Sequence, residues 1–146
     1  MLIFTNGVFD LLTAAHVRFL EAAKGLGDCL IVGLNTDKSI RHIKGDLRPI
    51  VPYKQRETVL RALRSVDSVI PLYENEPSAL IRHLRPDIVT KAKGYSRENM
   101  PEWEAIEEVG AKVIFLPTFD GFSTTEIVEK IIQEHISYRL SEWKKE

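Results

Sequence analysis

Apolar and polar positions along this chain fall into blocks of two lengths. Short runs rich in Val, Ile and Leu recur at 2–5, 29–34, 68–71, 87–90 and 112–116. They are apolar on both faces, the pattern of strands covered on both sides in a parallel sheet. Between them, helical spacing appears at 15–25, 37–42, 53–64, 77–84, 101–109 and 124–136. Gly25-Leu26-Gly27-Asp28 closes the first helix, and Pro71, Pro86 and Pro117 close or precede strands. The βαβαβ order predicts an α/β fold, a doubly wound parallel sheet in a single domain. No internal repeat, low-complexity tract or linker interrupts it. Residues 45–52 are polar and Pro-bearing, and read as a loop over a site. Residues 138–146 are charged, end in Lys144-Lys145-Glu146 and read as a tail extending the last helix, which leaves a domain at 1–137.

In such a sheet ligands gather beyond the carboxyl ends of the strands. Four sets of polar residues fall there: Thr5, Asn6 and Asp10; Asn35, Thr36 and Asp37; Lys91, Lys93 and Tyr95; Asp120, Ser123 and Thr124. A strand that ends in the turn Thr5-Asn6-Gly7 and opens a helix points N–H groups and a positive dipole end at one spot, which suits a phosphate. Asn6-Gly7-Val8-Phe9-Asp10 is too short for G-x-G-x-x-G and lacks the Lys of a Walker loop, so dinucleotide binding and P-loop hydrolysis are disfavoured. His16 lies on the first helix beside Ala14 and Ala15, small enough to let a ligand approach. A His on an amphipathic helix is equally at home as a surface or core-edge residue. Ser123-Thr124-Thr125-Glu126 fits a capping box, and the same hydroxyls and N–H groups suit a polyphosphate. Lys44, Arg48 and Arg56, in or after the polar loop, are either solvated or phosphate clamps.

Composition narrows the classes. With 146 residues, 44% apolar and 28% charged, the chain can bury a core of its own. A net charge of −1 and the lack of a basic, aromatic-laced stripe argue against nucleic acid or an anionic membrane as partner. Cys29 is the sole cysteine, which excludes an internal disulfide and a thiolate metal cluster; in Cys29-Leu30-Ile31-Val32 it reads as a core thiol without a catalytic role. No run approaches the length of a membrane span, and the N-terminus lacks the basic region of a secretory signal, so the cytoplasm is the expected location.

Taken in order, several segments resemble the cytidylyltransferase-like nucleotidyltransferases. These are Thr5-Asn6-Gly7-Val8-Phe9-Asp10-Leu11-Leu12, His16, Gly27-Asp28 through Asn35-Thr36-Asp37, Lys44-Gly45, Arg48-Pro49, Gln55-Arg56, Val66-Asp67, Pro86-Asp87 and Gly121-Phe122-Ser123-Thr124-Thr125. The resemblance is strongest to the adenylyltransferase domain of bacterial ADP-heptose synthesis, with glycerol-3-phosphate cytidylyltransferase as a neighbour, and runs from Ile3 to about Ile132. It implies a Rossmann-like nucleotidyltransferase fold. It also implies attack of an acceptor phosphate oxygen on the α-phosphorus of a nucleoside triphosphate, ATP above CTP, with Mg²⁺ accompanying the triphosphate and no metal site of the protein's own. A homodimer is implied too. Carried onto this chain, it assigns catalysis to His16, Lys44 and Thr13. It assigns nucleotide contacts to Thr5, Asn6, Gly7, Phe9, Arg56, Lys91, Ser123, Thr124 and Thr125, and acceptor contacts to Asp10, Asn35, Asp37 and Arg48.

The chain departs from the family at three points. The family's H-x-G-H reads Thr13-Ala14-Ala15-His16, so a neutral hydroxyl stands in place of the first imidazole. K-G-G-D-Y reads Lys91-Ala92-Lys93-Gly94-Tyr95, without the acid. The Arg that precedes S-T-T in the cytidylyl branch is absent, Thr118 and Phe119 following Pro117, which favours adenylyl transfer. The first two departures imply slowed turnover, and a nucleotide- or sugar-phosphate-binding module on the same fold is the alternative.

Overall fold

A computed structural model describes residues 1–143. Five strands, β1 (Leu2–Gly7), β2 (Cys29–Asn35), β3 (Ser68–Leu72), β4 (Ile88–Ala92) and β5 (Lys112–Leu116), form one sheet in the order β3-β2-β1-β4-β5. All pairings are parallel. The helices are α1 (Ala14–Lys24), α2 (Asp37–Lys44), α3 (Tyr53–Arg61), α4 (Ser78–Leu84), α5 (Trp103–Val109), α6 (Thr124–Ile131) and α7 (Ser137–Trp143). The doubly wound parallel sheet expected from the sequence is the one observed.

The period-2 alternation of each strand divides the apolar residues between two faces. Ile3, Leu30, Val32, Leu34 and Ile88 join Leu20, Ala23 and Leu60 of α1 and α3 in one core. Phe4 and Val89 join Ile81, Ala105 and Ile106 of α4 and α5 in the other. Gly33 lets the Phe4 ring lie across β2, since a Cβ there would sit 3.0 Å from Phe4 Cζ. Two aspartates fix register at the amino edge. Asp67 N–H donates to Leu30 O (3.0 Å) while its carboxylate accepts from Leu30 N–H (2.7 Å). Asp87 does the same to Leu2, at 2.9 and 2.6 Å.

Some details differ from the sequence pattern. The third helix stops at Arg61 rather than 64, because Leu63 and Val66 turn inward to reach the first core. Cys29 is only half-buried, since it opens β2 at the rim of the sheet rather than in its centre. The boundary at 137/138 falls inside a continuous helical run: α6 passes through a π-helical turn, Ile132–Ile136, into α7. Of the tail, Lys144, Lys145 and Glu146 lie outside the described residues. This arm leaves Ile131, Ile132, Ile136, Tyr138 and Leu140 exposed. Among the described residues no helix is long and apolar enough to cross a membrane.

Phe4 is the largest fully buried apolar side chain among the described residues. Phe4→Ala is expected to cost about 3–5 kcal/mol of unfolding free energy, read from the shift of a urea denaturation midpoint at unchanged slope.

Candidate functional site

The strand order reverses between β1 and β4, and there the two strands part. Their pairing is confined to Ile3↔Ile88 and Phe4↔Val89. Beyond it, the Thr5 hydroxyl still donates to Thr90 O (3.1 Å), while Asn6, Gly7, Lys91 and Ala92 open onto a cleft of about 530 Å³. The N-termini of α1 and α6, the end of α2 and Arg48 complete its walls.

Each wall has a local cause. Phe9 takes a left-handed conformation (φ 46°), which folds its ring back over Gly7, where a Cβ would lie 2.8 Å from Phe9 Cε2. The ring then meets His16 edge-on at 5.6 Å. Ser123 caps α6: its hydroxyl accepts from Glu126 N–H (3.2 Å), and the Glu126 carboxylate accepts from Ser123 N–H (2.6 Å). That backbone bond holds the Glu126 carboxyl below its usual range. Gly121 (φ 148°) brings this cap against α1, since a Cβ there would sit 2.8 Å from Ala15 N and 2.9 Å from Ala15 Cβ. The Ala15 methyl is thus accommodated by a glycine on the facing loop. Lys91 is almost wholly buried; its ammonium meets Asn6 Oδ1 (2.7 Å) and pairs with Glu102 (2.5 Å).

The cleft gathers most of the expected residues: Thr5, Asn6, Gly7, Phe9, Asp10, His16, Asn35, Lys44, Arg48, Lys91, Tyr95, Ser123, Thr124 and Thr125 all line it. Four of the expected residues are held by partners within the chain. Arg56, expected on the nucleotide, has a guanidinium sealed beneath the cleft. It donates to Val51 O (2.8 Å), Val8 O (2.7 Å), Asn35 O (2.9 Å) and Asp37 Oδ1 (2.8 Å). Asp37, expected on the acceptor, lies outside the cleft and is held by Arg56 and Tyr53 N–H (2.9 Å). Asp10 lines the cleft, but its buried carboxylate already accepts from Ile50 N–H, Val51 N–H (2.8 Å) and Arg48 Nη1 (3.1 Å). These bonds anchor loop 45–52 to the β1 turn. Thr13, expected among the catalytic residues, does not line the cleft; its N–H and hydroxyl both lie 3.0 Å from His16 Nδ1. Thr36, Lys93 and Asp120 share the carboxyl edge without opening into the cleft.

Sequence reasoning missed Glu102, which balances Lys91 from the start of α5, and the apolar lining from Phe19, Ile43 and Phe119. Glu102 follows Pro101 in a polar stretch, and nothing local marks it as buried. His16 is partly buried, and burial lowers its pKa below the ordinary histidine value.

A family model described as cytidylyltransferase-like matches residues 4–130, a range that contains every residue lining the cleft. Bifunctional protein HldE of Citrifermentans bemidjiense is 44% identical over 133 residues, covering 91% of this chain and 27% of that protein. HldE of Hahella chejuensis is 42% identical over 135 residues, 92% of this chain and 28% of that protein. The chain therefore spans little more than a quarter of the length of these curated relatives. A lipopolysaccharide core biosynthesis protein from Thermoplasma volcanium superposes with a TM-score of 0.69 at 26% identity, covering 82% of this chain and 98% of that one. Pantoate-beta-alanine ligase from Francisella tularensis shares the fold at 13% identity and a TM-score of 0.59, covering 84% of this chain and 62% of its own.

The Arg56 placement is directly measurable. Arg56→Met strands Asp37 and three carbonyls, and breaking a buried pair from one side costs about 3–5 kcal/mol. The expected result in urea denaturation is a large loss of stability, against the small change that a solvent-facing ligand residue would give.

Proposed function

Since the chain belongs to the cytidylyltransferase-like family, we propose that it moves a nucleotidyl group, AMP from ATP, onto a sugar phosphate of the heptose 1-phosphate class and releases pyrophosphate. The observation that carries this reading is the charge of the cleft. In a chain of net charge −1, its charged lining is Lys44, Arg48 and Lys91 against Asp10 alone. Lys91 is balanced by Glu102 and Arg48 by Asp10, while Lys44 has no ion-pair partner among the described residues. A site of this kind attracts a polyphosphate and neutralises charge that builds during transfer.

The chemistry follows from the arrangement. An oxygen of the acceptor's phosphate attacks the α-phosphorus of ATP, a new P–O bond forms, and the bond to the β-phosphate bridge breaks as pyrophosphate leaves in line. The chain contributes positioning and charge stabilisation, with no covalent intermediate. The N–H groups that open α6, with the Ser123, Thr124 and Thr125 hydroxyls, suit the leaving β- and γ-phosphates. His16 and Lys44 line the same cleft. Mg²⁺ enters this proposal on the triphosphate. The one carboxylate lining the cleft is already saturated by three donors, and no cluster of three His, Cys, Asp or Glu is built to hold a metal among the described residues. Mg²⁺ is at ease with phosphate oxygens and water as ligands.

ATP is preferred to CTP because Thr118 and Phe119, both lining the cleft, stand where the cytidylyl branch carries Arg. The acceptor class rests on the HldE relatives and on the lipopolysaccharide core biosynthesis protein. Cytoplasmic residence, where ATP is available, and a homodimer belong to the same proposal. Thr13 supplies no cation, and one preorganised donor fewer is worth about 10²–10³ in rate, so turnover is slow.

Steady-state pyrophosphate release, with ATP or CTP over a panel of sugar phosphates, tests the proposal. Slow release is expected with ATP and a heptose 1-phosphate, lost in Lys44→Ala. Tight ATP binding with no release for any acceptor would favour the binding-module reading. Release with CTP and glycerol 3-phosphate would move the protein to the cytidylyl branch.

A further inference from the structure

His16 is the third residue of α1 and Thr13 its N-cap. The usual partner in a capping box is Glu or Gln, whose side chain accepts from the N-cap N–H. Here an imidazole takes that role. The Thr13 N–H donates to His16 Nδ1 at 3.0 Å, and the Thr13 hydroxyl lies 3.0 Å from the same nitrogen. A backbone N–H can only donate, so Nδ1 must present its lone pair. In a neutral imidazole the proton then sits on Nε2. Protonating Nδ1 would set two N–H groups against each other at hydrogen-bond distance, at a helix N-terminus that already disfavours positive charge. Burial acts in the same direction. The Phe9 ring closes the other side, and the charged groups of the cleft are Asp10 from the β1 turn, Lys44 from α2, Arg48 from the loop and Lys91 from β4. Asp10 is already satisfied by Arg48 and two N–H groups, so the cleft holds no spare carboxylate to draw a proton onto the ring. Nε2 has no hydrogen-bond partner among the described residues, and His16 lines the cleft.

We propose that Thr13 is a positioning residue that locks His16 as the neutral Nε2–H tautomer, so that His16 acts on a phosphate oxygen as an uncharged hydrogen-bond donor, neither a cation nor a proton acceptor. The second half rests on the nucleotidyltransferase reading above; the first half stands on geometry alone. The family's first imidazole is thereby replaced by a residue that serves the second.

The sign of the pH effect follows. As pH falls below the ordinary histidine value of 6.5, the unfolded chain takes up a proton that native His16 refuses. The native state therefore loses stability through the window between 6.5 and the lowered value, and levels off below it. His16→Gln removes this component: its carbonyl oxygen accepts from Thr13 N–H and its amide donates into the cleft.

Two measurements separate the parts. Long-range ¹H–¹⁵N correlation on the ligand-free protein reads the tautomer. The expected result is a pyridine-type Nδ1, a pyrrole-type Nε2 and a midpoint below 6.5 that persists in Thr13→Gly, which keeps the donating N–H, and rises in Thr13→Pro, which lacks it. A protonated Nδ1, or a midpoint at or above the ordinary value, overturns the lock. ATP–Mg²⁺ titration by calorimetry reads the donor. His16→Gln is expected to keep native affinity within severalfold, and His16→Phe to lose about 10- to 100-fold, the worth of one hydrogen bond to a charged oxygen. Equal losses in the two variants, with both folded by circular dichroism, overturn the neutral-donor role. If the native protein binds no nucleotide, the functional reading and the donor role fall together, and the NMR result alone decides the tautomer.

Discussion

Arg56 holds the carboxyl edge of the sheet together. Its guanidinium is fully buried, and a buried charge is tolerated only where its donors are met. Four of its five N–H donors are met, by the β1 turn (Val8 O), the end of β2 (Asn35 O), the loop (Val51 O) and α2 (Asp37). Asp10 completes the arrangement with the opposite charge. The two systems join at Val51, whose N–H is held by Asp10 and whose carbonyl is held by Arg56. Loop 45–52 is pinned at its far end from both sides.

What the cleft can do depends on that anchoring. Arg48 faces the cleft from the pinned loop with one arm on Asp10 and the other 3.3 Å from Thr125 Oγ1. The loop thereby reaches the start of α6, where phosphate is expected. Across the cleft, the parting of β1 and β4 after Phe4 and Val89 frees Asn6 and Lys91 to face inward. Cations and N–H donors are thus held in advance of any ligand, the preorganisation that the proposed transfer requires.

The fold was legible because its signal is periodic. Strands such as Cys29–Asn35, apolar on both faces, and helices closed by Gly25 or capped by Ser123 announce themselves locally. The lining of the cleft was legible in outline, because polar residues that follow parallel strands converge at one edge. Which of those residues face a ligand and which face each other is a long-range matter. Asp10 and Arg48 are 38 positions apart, and Arg56 and Val8 are 48. Nothing in the local sequence separates Arg56 from Lys44, both basic and both beside the same loop, yet one is sealed and the other open. The Thr13–His16 contact is hidden for the opposite reason. Its partners are three residues apart, but a capping box closed by His in place of Glu lacks the usual signature.

The proposed function requires nucleoside triphosphate in the cleft between the β1 turn and the start of α6. Backbone amide shift mapping on ¹⁵N-labelled protein titrated with ATP–Mg²⁺ tests it directly. The largest shifts are expected at residues 6–10, 15–16, 91–92 and 118–126, with the amino-edge residues around Asp67 and Asp87 unmoved. Shifts centred instead on the shallow groove of Lys38, Arg41, His42 and Tyr73, or no saturable shifts at all, would contradict it.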